Sequence, residues 1–462
     1  MASQPSLLTL AERQVTETLE RRRGDIVDLA ATLVGFDTTA SRTGADGGEV
    51  PALQALLAAR MQSAGFEVEL FVPEPDDLPA SRMLAAGHDM TGRPQLIARR
   101  PGTGDGRSLL LNGHVDVVEV GRREAWSSDP FRARLSAGRL YGRGACDMKG
   151  GVAAMVLAAE VLAELGVPLR GDLSLNTVTD EESTGAGSLA CVARGLHADG
   201  CLIPEPTSGQ VWLGSRGVLL PTVEVDGRAG HTGLARGDEL DGPGVGAIER
   251  ILPILEAMRG LREQWWAQRG PGETPGWIVP THISAGEWIV TFPDSCSVQL
   301  HVTYGIGQAD ADGWGTAVER EVEARVRAAA LADPWLAAHP PRVHWSTDVP
   351  SGTISADEPI VRTALGAAAS LEHHTGITSQ TTWIDAITFS RSGTPAIGFG
   401  PGDLANAHTV DESIDVSELV RAAQALAVCA MRFCGVAGER SPRPRSERTE
   451  GVAQPAGLLA AP

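Results

Sequence analysis

The sequence predicts an α/β fold: a mostly parallel sheet covered by helices, with a ferredoxin-like βαββαβ domain inserted into it. Three observations carry this expectation. Strand-like and helix-like segments alternate through the first two hundred residues, the order changes from about residue 214, and the alternation resumes after about 350. The chain thus divides into a discontinuous domain over 1–213 and 350–435, an inserted domain over 214–349, and a disordered tail over 436–462.

Taken in order, helical spacing covers 11–35 and 50–64, the second stopping at Gly65, a residue suited to the left-handed backbone that ends helices. Strands are expected at 66–72, 95–100 and 108–117. "GGVAAMVLAAEVLAELG" has helical periodicity and ends at Gly166, and "DLSLNTVTD" and "GCLIPEPT" read as strands that run into acidic residues. Within the insert, "GVLLPTVEVDG" is a strand, 242–260 a helix, 277–285 and 295–305 strands, 310–330 a helix and 341–347 a strand. A helix at 357–371, a strand in "TPAIGFG" and a helix at 416–434 complete the outer domain. The final "GERSPRPRSERTEGVAQPAGLLAAP" is rich in Pro, Arg, Ser and Gly and lacks the apolar content for a core.

At 462 residues the chain can bury a full core, and 42% apolar with 21% charged residues is ordinary for a globular protein. The formal net charge of −19 excludes a nucleic-acid backbone as partner, which needs a basic footprint. No run approaches the ~18 apolar residues of a membrane span, and the charged N-terminal stretch has no apolar core of a secretion signal. The six cysteines form no CxxC pair, as expected of reduced thiols in the cytoplasm.

Five places put acidic or histidine residues where a strand gives out. They are His114 and Asp116 after "LLLNG", Asp147 in "GRGACDMKGG", Glu181 and Glu182 after "NTVTD", Glu205 in "IPEPT", and His408 in "GPGDLANAHTVDES". Each alone has an ordinary reading: a surface turn, solvated charge, the close of a strand, or, for Asp147, a helix N-cap. Together they are expected to meet beyond the carboxyl ends of the strands, where open α/β sheets bind ligands. Two imidazoles and three carboxylates suit a pair of zinc-type ions sharing one carboxylate. Asp116 could accept the second N–H of His114 and fix its tautomer. Of the adjacent glutamates, one can ligate and the other can take a proton from water. Metal-assisted hydrolysis of an amide follows.

The ordered set "GHVDVV", "GRGACDMKGG", "DEES", "PEPT", "GRAGHTG", "FGPGD" and "AHTVDES", spread over about 25–435, resembles the M20 metallopeptidase family. The nearest branch is that of the acetylornithine deacetylases and succinyl-diaminopimelate desuccinylases. The resemblance implies a di-zinc catalytic domain and an inserted lid that dimerises. It implies that His114, Asp147 and Glu205 hold one ion, and that Asp147, Glu182 and His408 hold the other, with Asp147 bridging and followed by a cis peptide. Asp116 would orient His114, Glu181 would be the general base and later the proton donor, and His231 would reach from the lid to the oxyanion. Two Zn2+ per subunit are implied, with Co2+ or Mn2+ as substitutes, in a cytoplasmic homodimer. The expected activity is removal of an acetyl, succinyl or formyl group from a small amine or amino acid through metal-activated water. Alternatives are a dipeptidase or carboxypeptidase on the same metal residues, and a non-catalytic binding protein on the same fold.

One departure bears on substrate. Many deacylases of this family pair a lid Arg with the substrate α-carboxylate, yet no Arg occurs between Arg269 and Arg320. The expected position holds His301 or Thr303, and an Asn expected before the "PD" pair is replaced near Ile289 and Val290. Either another Arg, such as Arg216 or Arg391, takes the role, or the substrate lacks a carboxylate, as for formylaminopyrimidine deformylases. In the second case Trp265, Trp266, Trp277 and Trp288 could stack on a ring, although packing is their ordinary role.

Overall fold

The computed structural model describes residues 7–40, 48–74, 77–79, 81–85, 88–234, 242–271, 274–378 and 382–438. Residues 439–462, most of the expected tail, lie outside it, while Val436 and Ala437 still pair with Leu169 and Pro168.

Eight strands form the larger sheet, in the spatial order Glu67–Phe71, Gln95–Arg100, Leu173–Val178, Leu109–His114, Gly200–Ile203, Ala396–Gly398, Val211–Trp212 and Ile377–Thr378. The four central strands run parallel, as does the last pair. The first three strands and the step from Ala396–Gly398 to Val211–Trp212 are antiparallel. Every residue of Leu109–His114 is buried, so both faces of this strand are covered; that is why it reads as a continuous apolar run rather than an alternating one. Lys149–Glu164 is buried almost all round, and Val416–Cys434 packs against it. Val416–Cys434 also packs on Pro359–Ser370 and Leu10–Arg21, closing one contiguous core.

The inserted segment builds a second core. Its antiparallel sheet has the order Trp277–Ala285, Ser295–Tyr304, Gly217–Asp226, Arg342–Val349, and the helices Ala247–Gln268 and Thr316–Leu331 belong to it. This is the βαββαβ order expected from the sequence. Along Ser295–Tyr304 the even-numbered residues Cys296, Val298, Leu300, Val302 and Tyr304 face the helices, and the odd-numbered residues face away. A small apolar cluster of Met83, Leu189, Val218, Val349 and Ile387 joins the two cores. Beside it, Arg82 pairs with the buried Asp348 at 2.6 Å.

Several boundaries differ from the sequence expectation for local reasons. The helix expected over 11–35 is two, Leu10–Arg21 and Arg23–Val34, broken where Arg22 leaves helical dihedrals. The helix expected from 310 begins at Thr316, because the Asp310 carboxylate accepts from the N–H groups of Asp312 and Trp314 and the Thr316 hydroxyl, stabilising a turn instead. The helix expected over 242–260 starts after "GPGVG" and runs through Pro253 to Gln268.

Candidate metal centre

The candidate residues leave the carboxyl ends of the central parallel strands. His114 is the last residue of its strand; Glu181 and Glu182 follow Leu173–Val178, Glu205 follows Gly200–Ile203, and His408 lies on the loop after Ala396–Gly398. Asp147 precedes Lys149–Glu164, joined to Met148 by a cis peptide. That helix can approach the Glu205 segment because residue 151 is glycine: a Cβ there would lie 2.1 Å from the Pro204 carbonyl oxygen.

Two groups of three side chains could each hold a metal ion: His114, Asp147 and Glu205, and Asp147, Glu182 and His408. Within each, the ligand atoms lie within 4.8 Å of one another. His114 Nε2 is 3.1 Å from Asp147 Oδ1 and 3.9 Å from Glu205 Oε1. His408 Nε2 is 3.1 Å from Glu182 Oε2 and 3.5 Å from Asp147 Oδ2. Glu181 stands beside the first group, its Oε2 3.9 Å from His114 Nε2.

The electrostatics fit divalent cations. Burial pushes Glu181 and Glu205 well above the usual carboxylate range; His114 opposes this, but the neighbouring carboxylates reinforce it. Glu182 is raised by burial and by Asp147. Burial also acts to raise Asp147, but the hydrogen bonds from His114 and His408 hold it below its ordinary value. So many buried carboxylates cannot all ionise without positive charge among them. Glu205 Oε1 is buried with no hydrogen-bond partner, as an atom reserved for a cation would be.

The supports of this cluster are largely main-chain. His114 Nδ1 lies 2.9 Å from the Asp116 carbonyl oxygen and 3.6 Å from its carboxylate, so the carbonyl, rather than the expected carboxylate, is the nearer acceptor. The Asp116 carboxylate instead accepts from the N–H groups of Glu181 at 3.4 Å and Glu182 at 3.1 Å. Two further residues, to which the sequence assigned no role, anchor the site. Glu412 accepts from the N–H groups of Cys146 (2.8 Å) and Asp147 (3.1 Å) through one oxygen and pairs with Arg143 at 2.5 Å through the other. Asp180 adopts φ +72° and accepts from Arg93 (2.7 Å), Ser183 (2.7 Å) and Thr184, with His88 Nε2 at 2.8 Å from its other oxygen, fixing the turn before Glu181. His408 also has positive φ, +59°. Such backbone is uncommon for non-glycine residues and concentrates at functional sites.

Residues 110–432 match the model of peptidase family M20/M25/M40. The chain belongs to that family. It is accordingly an M20 amidohydrolase. It is 28% identical over 442 residues to N-formyl-4-amino-5-aminomethyl-2-methylpyrimidine deformylase of Halalkalibacterium halodurans, covering 90% of this chain and 96% of the relative. It is 31% identical over 381 residues to succinyl-diaminopimelate desuccinylase of Stenotrophomonas maltophilia, covering 79% and 89%. Among solved structures, the dipeptidase Dug1p of Saccharomyces cerevisiae superposes with a TM-score of 0.72 at 13% identity, covering 92% of this chain and 99% of its own. A dinuclear metal-binding M20 peptidase of Bacillus subtilis gives 0.59 at 14% identity, covering 89% and 98%. Both share the fold.

The other candidate residues belong to neither ligand group. His231 is exposed, and its Nδ1 accepts from the Gly233 N–H at 3.0 Å. Trp265 is buried in the second core and donates to Glu321 at 2.9 Å, so its role is packing. Trp266 and Trp277 meet edge to face, with Arg269 over the first and Arg262 over the second. Trp288 is exposed. Arg391 lies over Trp314 and donates to the Asp312 carbonyl. Among the described residues no helix is long and apolar enough to cross a membrane.

Proposed function

We propose that this M20 amidohydrolase is a di-zinc N-deacylase that releases a formyl, acetyl or succinyl group from a small amine or amino acid, with Co2+ or Mn2+ able to replace zinc. The observation that carries the reading is the pair of ligand groups sharing Asp147, with Glu181 beside the first and outside both. The two cations would polarise the scissile carbonyl and acidify a water. Glu181, buried and raised in pKa, takes a proton from that water as its oxygen bonds to the carbonyl carbon. The C–N bond then breaks, Glu181 returns the proton to the leaving nitrogen, and an amine and a carboxylic acid result. The hydrogen bonds from the main chain to Asp116 and Glu412 hold the site in register throughout.

His231 belongs to this reading as the oxyanion donor contributed by the lid of a second subunit, which suits its exposure. The lid, residues 214–349, would dimerise through its free sheet edge, Trp277–Ala285, and the outer face of Ala247–Gln268, where Ile283, Ile248 and Leu252 are exposed. A discontinuous catalytic domain over 1–213 and 350–435 completes the arrangement. All six cysteines are buried and unpaired, which suits a cytoplasmic enzyme.

A second reading, deformylation of a heteroaromatic aminomethyl compound, is favoured by the deformylase relative, which spans nearly the whole chain, and by the missing lid Arg. The experiment is amine release by zinc-loaded protein from matched N-formyl, N-acetyl and N-succinyl compounds, with unblocked dipeptides in the same panel. Release from the blocked compounds is expected. Release from the dipeptides alone would replace the deacylase reading with a peptidase one.

A further inference from the structure

A cavity of about 350 Å3 opens beside the loops that carry the metal ligands, yet none of its lining residues belongs to either ligand group. A volume of that size suits one small molecule. Its buried lining is apolar, made by Phe399 and Pro401 and by Ala422 and Ala425 of the helix Val416–Cys434. Its exposed lining is charged. Arg421 is exposed and makes no hydrogen bond or ion pair among the described residues. Burial and then the Arg421 charge lower the pKa of His373, which leaves a neutral imidazole on the same cavity. Two carboxylates complete the lining. Glu418 holds the Gly402 N–H at 2.8 Å through one oxygen, and Glu372 has no side-chain partner among the described residues.

The wall formed by 399–402 ties this cavity to the metal centre. The Phe399 N–H donates to the Ile203 carbonyl at 2.8 Å. The Gly400 and Gly402 carbonyls accept from the N–H groups of Gly209 at 2.9 Å and Ser208 at 2.7 Å, which straps the wall to the segment carrying Glu205. Only glycine fits at either position. A Cβ on residue 400 would lie 2.3 Å from the Pro204 carbonyl carbon, and one on residue 402, where φ is +89°, would lie 2.8 Å from Cys146 Sγ, next to Asp147. The same stretch of chain runs on to His408. A molecule that draws on Glu418 therefore alters its hold on Gly402, and with it the backing of Asp147 and Glu205.

We propose that this cavity is a second ligand site, separate from the metal centre, which takes a free α-amino acid with an apolar side chain and through the 399–402 wall modulates turnover. The guanidinium of Arg421 receives the carboxylate, Glu418 and Glu372 receive the ammonium, and Phe399, Ala422 and Ala425 cover the side chain. A plain anion would meet two carboxylates against one guanidinium, and a plain amine would leave Arg421 unused; a zwitterion satisfies both signs of charge. An N-acyl compound has no ammonium, so the ligand of this cavity is not the substrate. Because the wall backs two metal ligands, the cavity and the metal centre affect each other's affinity reciprocally.

The test is calorimetric titration of the zinc-loaded full chain with L-leucine and with L-leucinamide, which keeps the ammonium and lacks the carboxylate. Wild-type protein is expected to bind leucine with a Kd of about 1 mM or tighter. It should prefer leucine to the amide by about tenfold, the scale of one charge-assisted hydrogen bond. Arg421→Ala changes an exposed side chain outside the metal centre, so it should fold and turn over as the wild type does, yet bind leucine and leucinamide equally. No leucine binding by the wild type overturns the proposal. So does a preference that survives in Arg421→Ala, since leucine would then be bound elsewhere. Turnover of the best N-acyl compound reads the coupling: leucine should change kcat in the wild type and not in Arg421→Ala. A rise in KM alone, equal in both proteins, would place leucine at the metal centre and overturn the second site. The binding measurements need no turnover, so failure of the deacylase reading would leave them standing.

Discussion

Replacing Glu412 by glutamine should loosen the site without touching a ligand. Glu412 is buried, with one oxygen on Arg143 at 2.5 Å and the other shared by the N–H groups of Cys146 and Asp147. An amide has only one acceptor oxygen, so its NH2 group must face either the guanidinium or the two main-chain donors. Arg143, also buried, then keeps a charge without a counter-charge. Breaking one side of a buried ion pair costs about 3–5 kcal/mol. Unfolding entropy is about 2 cal/mol/K per residue, so over roughly 300 residues that cost lowers Tm by about 5–8 °C. Thermal unfolding of metal-free protein is the proper assay, because bound metal would mask part of the loss. Metal content of the same variant should also fall, since the Asp147 main chain loses its anchor. A Tm within about 1 °C of wild type would refute the claim that this pair organises the site.

Further outcomes follow from the same geometry. His408→Ala removes one of three ligand side chains from the outer group, so metal analysis should give one ion per chain instead of two; unchanged stoichiometry would remove His408 from the ligand set. Burial acts to lower the His408 pKa, but hydrogen bonds to Asp147 and Glu182 raise it to about 10 in metal-free protein. Its folded value thus exceeds its unfolded one, so this contribution to stability is full below pH 6.5 and is lost as pH rises through about 10. Metal must displace that proton; an indicator dye should register acid on zinc addition at pH 7, with apparent affinity rising with pH, and a pH-independent affinity would contradict the imidazole's role. Gly151→Ala places a methyl group 2.1 Å from the Pro204 oxygen and should cost about 1–3 kcal/mol in chemical unfolding, whereas a neutral effect would show that the helix can shift freely.

The parts of the site that declare themselves in the sequence are those where a local pattern changes abruptly. An apolar strand that ends in His114, or a strand that ends in Glu181 and Glu182, is visible because burial requires the run and exposure does not supply the ending. The βαββαβ insert is visible for a similar reason, since the alternation along 295–304 has one buried and one open face. What stays hidden is what depends on distant partners. Asp180 reads as one more acid in "TDEES", and only the fold brings Arg93 to it from 87 residues away. Glu412, inside "TVDES", reads as solvated charge until Arg143 and the Asp147 main chain surround it. The strands Val211–Trp212 and Ile377–Thr378 are two residues each, too short for any periodicity. The break at Arg22 lies inside continuous helical spacing, and the turn at Asp310 wins over the helix through three side-chain hydrogen bonds that no periodicity records.

In the proposed mechanism Glu181 moves the proton while five other side chains hold metal. Turnover of zinc-loaded Glu181→Gln, on whichever N-acyl compound the wild type cleaves best, tests it most directly. Two bound ions are expected, with a rate lower by at least about 10³-fold, within the range for loss of a general base. Wild-type turnover in that variant would contradict it.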